Sequence, residues 1–146
     1  MRTLLAHAAH LGTAVTLAAM EDDPHLLGYY SSARRCVVVR LGMSRCWTRW
    51  VLAHELGHAF YDHTCADARE APANERQADQ YAARLLIDPD DYARLEQIHH
   101  DAHWLADELG VPDEAVYAYR RYWRNRPADA GLASLRARWS SKCAVA

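Results

Sequence analysis

Five consecutive residues, His54-Glu55-Leu56-Gly57-His58, carry the strongest chemical signal in the chain. Imidazole nitrogens are ligands for zinc and related divalent ions. In a helix, residues 54 and 58 lie on one face about 6 Å apart along the axis, so both rings can hold one ion. Glu55 is displaced around the helix, where its carboxylate reaches a water on the ion instead of the ion itself. Zinc lowers the pKa of such a water toward ~7, and the carboxylate takes its proton as hydroxide attacks a carbonyl. The chemistry is hydrolysis, with Glu55 as general base.

Two histidines leave a catalytic zinc one protein ligand short. A metzincin continuation would need Gly at position 61 and His at position 64, where the chain has Tyr61 and Thr64. Three candidates remain. His63 follows His58 by five residues and on a continued helix rotates away from the ligand face. Glu70 precedes Pro72 and reads as loop. Glu75 begins a helical pattern and is followed one turn later by Asp79, giving E-x-x-x-D on one face. Glu75 is the preferred ligand, with His63 and Glu70 as alternatives. Asp79 can hold the second ring nitrogen of a ligating histidine and fix its tautomer. An oxyanion donor is also needed, and Tyr61, His63 and Tyr81 are candidates, although packing is the favoured role for each.

These residues need a scaffold of helices and a small sheet. Apolar spacing at Val51, Leu52, Leu56, Ala59 and Phe60 predicts a helix over 48–63. A second helix is expected from an Asn74 cap to about Ile87, and a third opens at Asp88-Pro89, with Asp as cap and Pro at the first helical position. Upstream, residues 2–11 form a short helix ended by Gly12. Residues 13–17, 26–31 and 36–41 have strand composition and suggest a small antiparallel sheet. Short helices are expected over 104–109 and 113–123, separated by Gly110-Val111-Pro112, and a last one over 129–139. The fold class is α+β: about three antiparallel strands pack on the H-E-x-x-H helix and the E-x-x-x-D helix. Residues 1–98 are expected to form the core that bears the metal-ligating motif and 99–146 a helical extension packed on it, one domain overall.

Leu52-Ala-His-Glu-Leu-Gly-His58 together with Glu75-Arg-Gln-Ala-Asp-Gln-Tyr-Ala-Ala-Arg-Leu-Leu86 resembles the ImmA/IrrE family of metallopeptidases, a gluzincin-like group. The resemblance covers roughly residues 2–110, and the Leu26-Leu-Gly-Tyr-Tyr30 and Cys36-Val-Val-Val39 patches fit the family's strand region. It implies one zinc per chain on His54, His58 and Glu75, with Glu55 as catalytic base. Manganese is a plausible substitute on such a ligand set. It also implies a protein substrate, a helix-turn-helix repressor of a phage or mobile element whose cleavage induces silenced genes. Tyr81, where the family usually has Phe, and Asp88 before Pro89 are mild departures that touch no ligand.

The chain has 146 residues, 51% hydrophobic and 25% charged, enough to bury a core and unlike a disordered segment. Apolar residues 4–20 superficially resemble a signal peptide, but His7 and His10 interrupt them and Leu4, Ala8 and Leu11 share a helical face. Four scattered cysteines without a C-x-x-C pair suit a reduced compartment. A cytoplasmic protein with no membrane partner is expected. The net charge of −2 requires no polyanion, but residues 88–114 are acidic and 115–146 basic. Residues 104–116 have a helix-turn-helix rhythm followed by Arg120, Arg121, Arg124 and Arg126. DNA contact through these arginines is the lesser reading, because Asp107, Glu108, Asp113 and Glu114 would face the phosphates. Docking of a protein is the greater. His99, His100 and His103 suggest a polar loop more than a second metal site. The rival to the enzyme reading is a binding module, such as a toxin–antitoxin component with a degenerate peptidase fold, that grips a partner or DNA without cleaving.

Overall fold

The computed structural model describes residues 1–64 and 71–125. The elements run α1 (Arg2–His10), β1 (Ala14–Ala18), β2 (Gly28–Ser31), β3 (Cys36–Arg40), α2 (Arg45–Tyr61), α3 (Ala71–Leu86), α4 (Pro89–Glu96), α5 (Ala102–Leu109) and α6 (Asp113–Arg124). The α+β class therefore holds. Glu70, Arg126 and the helix expected over 129–139 lie outside the described residues.

The sheet corrects one expectation, because it is mixed and not antiparallel. Its order is β1-β3-β2, with β2 antiparallel to β3 (Tyr30 opposite Val37) and β1 parallel to it (Val15 opposite Val37). The β2–β3 hairpin is a local product, closed by a short turn in which Arg35 takes φ 46°. β1 instead crosses to the far side of β3, since the segment between β1 and β2 carries the chain from one edge of the sheet to the other. Such a crossover leaves no periodic trace in the sequence. The central position of β3 explains its continuous run of buried valines, Val37 to Val39.

Helix α2 packs on this sheet with Trp50, Val51, Leu52 and Leu56 buried. It starts at Arg45, three residues earlier than the periodicity suggests, because the Ser44 hydroxyl accepts from the Trp47 amide and caps it. Asn74 lies inside α3 and does not cap it. Asp88 caps α4 as its type predicts, accepting from the amides of Asp90 (2.9 Å) and Asp91 (3.2 Å). α5 ends on Gly110 in the left-handed region, φ 63°. Leu95, Leu105, Val116 and Tyr119 of α4 to α6 join the same hydrophobic cluster as the buried face of α2.

The two helices that matter most touch at Gly57 and Ala78. A Cβ at Gly57 would stand 2.8 Å from the Ala78 Cα. Glycine is needed there because the backbones approach more closely than any side chain allows.

Candidate metal centre

Spacing alone puts His54 and His58 on one face of α2, and the structure turns that face toward α3. Glu75 and Asp79, one turn apart on α3, meet it. His54 Nε2 lies 3.2 Å from Glu75 Oε2, His58 Nε2 lies 3.5 Å from Glu75 Oε1, and the two Nε2 atoms are 3.1 Å apart. A tetrahedral zinc with ligand bonds of ~2.0–2.1 Å has ligand atoms about 3.3 Å from each other. The three atoms thus form one face of such a coordination sphere, and the donor set of two imidazoles and a carboxylate suits the ion. Among the described residues this is the grouping able to hold a metal. Of the three candidates, Glu75 stands in this grouping and His63 does not, while Glu70 lies outside the described residues.

Asp79 takes the place expected for it, with Oδ1 3.1 Å from His54 Nδ1. A carboxylate on Nδ1 keeps the proton there and leaves the Nε2 lone pair for the metal. Burial opposes charge on His54, yet the hydrogen bonds to Asp79 and Glu75 outweigh it and raise the ring to about 9. Burial, reinforced by the charge on His54, pushes His58 down to about 4. The hydrogen bond from His54 holds Glu75 below the usual carboxylate range. With no ion bound, the pocket stores one proton on His54, and a cation entering must displace it.

Glu55 is 8% exposed, on the side of α2 that meets strand β2. Burial pushes its carboxyl up to about 7, although His54 opposes the rise. The backbone amide of Tyr30 donates to this carboxylate and fixes its direction. Gly28 makes that approach close enough: a Cβ there would stand 2.5 Å from Val51 Cγ1 and 3.4 Å from Glu55 Cγ. A base held near neutrality and aimed by a main-chain donor suits proton transfer at physiological pH.

The metal face opens on a cleft of about 390 Å³ lined by Leu26, Gly28, Tyr29, Tyr30, Thr64 and Asn74 besides the residues already named. Sequence reasoning reads Leu26 to Tyr30 as a strand, but its place as the cleft wall depends on the sheet order. Of the three candidate oxyanion donors, only His63 lines this cleft. Tyr61 stands outside it, 41% exposed, with its ring stacked on His63 at 5.4 Å. Tyr81 is buried, and its hydroxyl hydrogen-bonds His7 Nε2 at 2.5 Å. Packing is the role the structure gives it.

The C-terminal arginines divide. Arg120 binds the Tyr92 hydroxyl (2.8 Å), the His100 carbonyl (2.7 Å) and Glu96 (3.4 Å), so it ties α6 to α4. Arg121 and Arg124 make no such tie among the described residues and, together with Arg120, line an open groove between α4 and α6 with Tyr117 and Trp123. His103 pairs with Asp113 on the surface, 3.1 Å apart.

A helix bearing two histidines and a buried glutamate, completed by a carboxylate from the next helix, defines a peptidase-type metal centre on an α+β scaffold. The chain belongs to a peptidase family described as the IrrE N-terminal-like domain, whose model matches residues 8–120. It is thus a metallopeptidase-family domain of the IrrE/ImmA type. The fold is similar to that of a Mycobacterium tuberculosis transcriptional regulator, with a TM-score of 0.62 at 16% identity. That match covers 89% of this chain and 43% of the regulator, so the chain spans under half of that protein's length. No curated protein matches the chain. No helix among the described residues is long and apolar enough to cross a membrane.

Proposed function

We propose that the chain is a zinc-dependent endopeptidase acting on a protein in the cytoplasm, its substrate a helix-turn-helix repressor of a phage or mobile element. The observation that carries the reading is the convergence of His54, His58 and Glu75, with ligand atoms within 4.8 Å of one another, beside a buried Glu55 raised to about 7. When bound there, zinc supplies Lewis-acid activation of water and of the scissile carbonyl, and manganese meets the same donor preferences. His54, His58 and Glu75 hold the ion, and Asp79 keeps the His54 lone pair directed inward. Glu55 accepts the proton of the attacking water and passes it to the leaving amine. Gly28, Tyr29 and Tyr30 form a wall along which an extended peptide can lie, since β2 is the edge of the described sheet. The half-buried Arg121 and the exposed Arg124, with the groove beside them, suit the docking of a folded partner better than they suit DNA.

The test uses Glu55→Gln and a repressor encoded beside the gene. Gln is not a ligand and still hydrogen-bonds water, but it cannot take a proton at neutral pH. The variant should keep zinc and bind the repressor, while cleavage falls by 10²–10⁴-fold or more. Chelator should abolish cleavage by the wild type. Normal cleavage by a zinc-loaded Glu55→Gln protein would overturn the mechanism. Normal induction of the silenced genes by that variant would favour a binding module over an enzyme.

A further inference from the structure

We propose that His63 and Gln77 are positioning residues of the metal centre, forming a hydrogen-bond chain that fixes the tautomer and ring plane of His58. The inference rests on the metallopeptidase reading above. His54 has Asp79 behind it, whereas among the described residues no carboxylate lies on His58 Nδ1. Instead, His63 Nδ1 lies 3.0 Å from His58 Nδ1, and His63 Nε2 lies 3.0 Å from Gln77 Oε1.

The proton inventory of these atoms permits one arrangement compatible with a metal. A ligating His58 Nε2 must present its lone pair, so His58 carries its proton on Nδ1. That proton requires an acceptor, and His63 Nδ1 serves only if His63 is neutral with its own proton on Nε2. The Gln77 carbonyl oxygen, which can only accept, receives that second proton. The reverse arrangement would place a hydrogen on His58 Nε2, pointing at the ion position, and close the site. A neutral chain also supports His58 without adding a third carboxylate to Glu75 and Asp79, whose two charges already balance a divalent cation.

His63 reaches this position because α2 stops. On a continued helix the fifth residue after His58 would point elsewhere, as the sequence reading supposes. Asp62, however, adopts the left-handed conformation, φ 54° and ψ 41°, and the His63 amide donates to the His58 carbonyl at 3.0 Å. Positive φ is uncommon for a residue other than glycine, and Asp is among those that tolerate it best. The turn folds His63 back against the last helical turn, and Tyr61 stacks on its ring at an interplanar angle of 16°. Gln77 stands on α3 between Glu75 and Asp79, so one helix supplies the ligand, the partner of His54 and the far end of the chain behind His58.

The experiment combines zinc affinity, by competition with a chromogenic chelator, with ring-nitrogen NMR of the zinc-loaded wild type. The His58 resonance should show a proton on Nδ1, and that of His63 a proton on Nε2. Gln77→Leu and His63→Leu should each weaken zinc binding by 10–100-fold with unchanged circular dichroism. Gln77→Glu, which keeps an acceptor, should restore affinity to within about threefold of wild type. Wild-type affinity in both leucine variants, or a proton on His63 Nδ1 in the wild type, would overturn the proposal. Because the tautomer is read on the wild type, a variant that fails to fold does not remove the test. A wild-type protein that binds no zinc would instead defeat the underlying metallopeptidase reading.

Discussion

Gly57→Ala tests whether the contact between α2 and α3 sets the ligand geometry. A methyl group at residue 57 would stand 2.8 Å from the Ala78 Cα and 3.1 Å from its carbonyl oxygen. Both are backbone atoms and cannot rotate aside. To reach an ordinary contact of 3.4 Å, α3 must move away by about 0.6 Å. Glu75 is one turn from Ala78 on the same helix and moves with it, whereas metal–ligand distances tolerate about 0.2 Å. Zinc affinity should therefore fall at least tenfold, or about 1.4 kcal/mol. Stability is a closer contest. Alanine gains about 1 kcal/mol of helix propensity over glycine. Overpacking a tight contact costs about 1–3 kcal/mol, so the metal-free protein should lose about 0–2 kcal/mol. Urea denaturation in chelator reads the second quantity and chelator competition reads the first. A variant about 1 kcal/mol more stable than wild type, binding zinc with full affinity, would refute the reasoning.

The metal-free protein should lose stability between pH 6.5 and 9. Burial disfavours charge on His54, but its carboxylate partners raise it from 6.5 to about 9, so its contribution is complete below pH 6.5 and vanishes as pH rises through 9. Glu55, raised from 4.5 to about 7 chiefly by burial, acts in the same direction at lower pH, where His58, lowered to about 4, opposes it. Urea midpoints in chelator should decline across the upper window, and a His54→Gln protein with the same decline would refute the assignment. Zinc affinity should rise over that window, with about one proton released per ion by calorimetry in two buffers. Asp79→Ala should weaken zinc binding by 10–100-fold while the circular dichroism stays unchanged, and equal affinity would exclude its role on His54. Arg120→Ala should cost about 1–2 kcal/mol in urea denaturation through the lost contacts to Tyr92 and the His100 carbonyl, with zinc affinity unchanged. A loss of zinc instead would connect α6 to the site.

The sequence by itself determines whatever is local. His54 and His58 share a helix face because they are four residues apart, and Glu75 and Asp79 share another for the same reason. Asp88-Pro89 and Gly110 mark helix ends through side-chain and backbone chemistry that acts over a few residues. The pairing of the Glu75 helix with the His54 helix is also readable, because a two-histidine site lacks a third ligand and Glu75 begins the next helical pattern. Only the tertiary structure decides the rest. The parallel placement of β1 depends on a crossover between sheet edges, and periodicity carries no record of which strands become neighbours. The amide of Tyr30 reaches Glu55 only because β2 forms the edge beside α2, and the lack of a side chain at Gly28 gives it room. His63 joins the site because one left-handed residue, Asp62, reverses the direction a helix wheel assigns to it. In each case the sequence sets which groups a segment presents, and long-range chain closure sets which partner those groups meet.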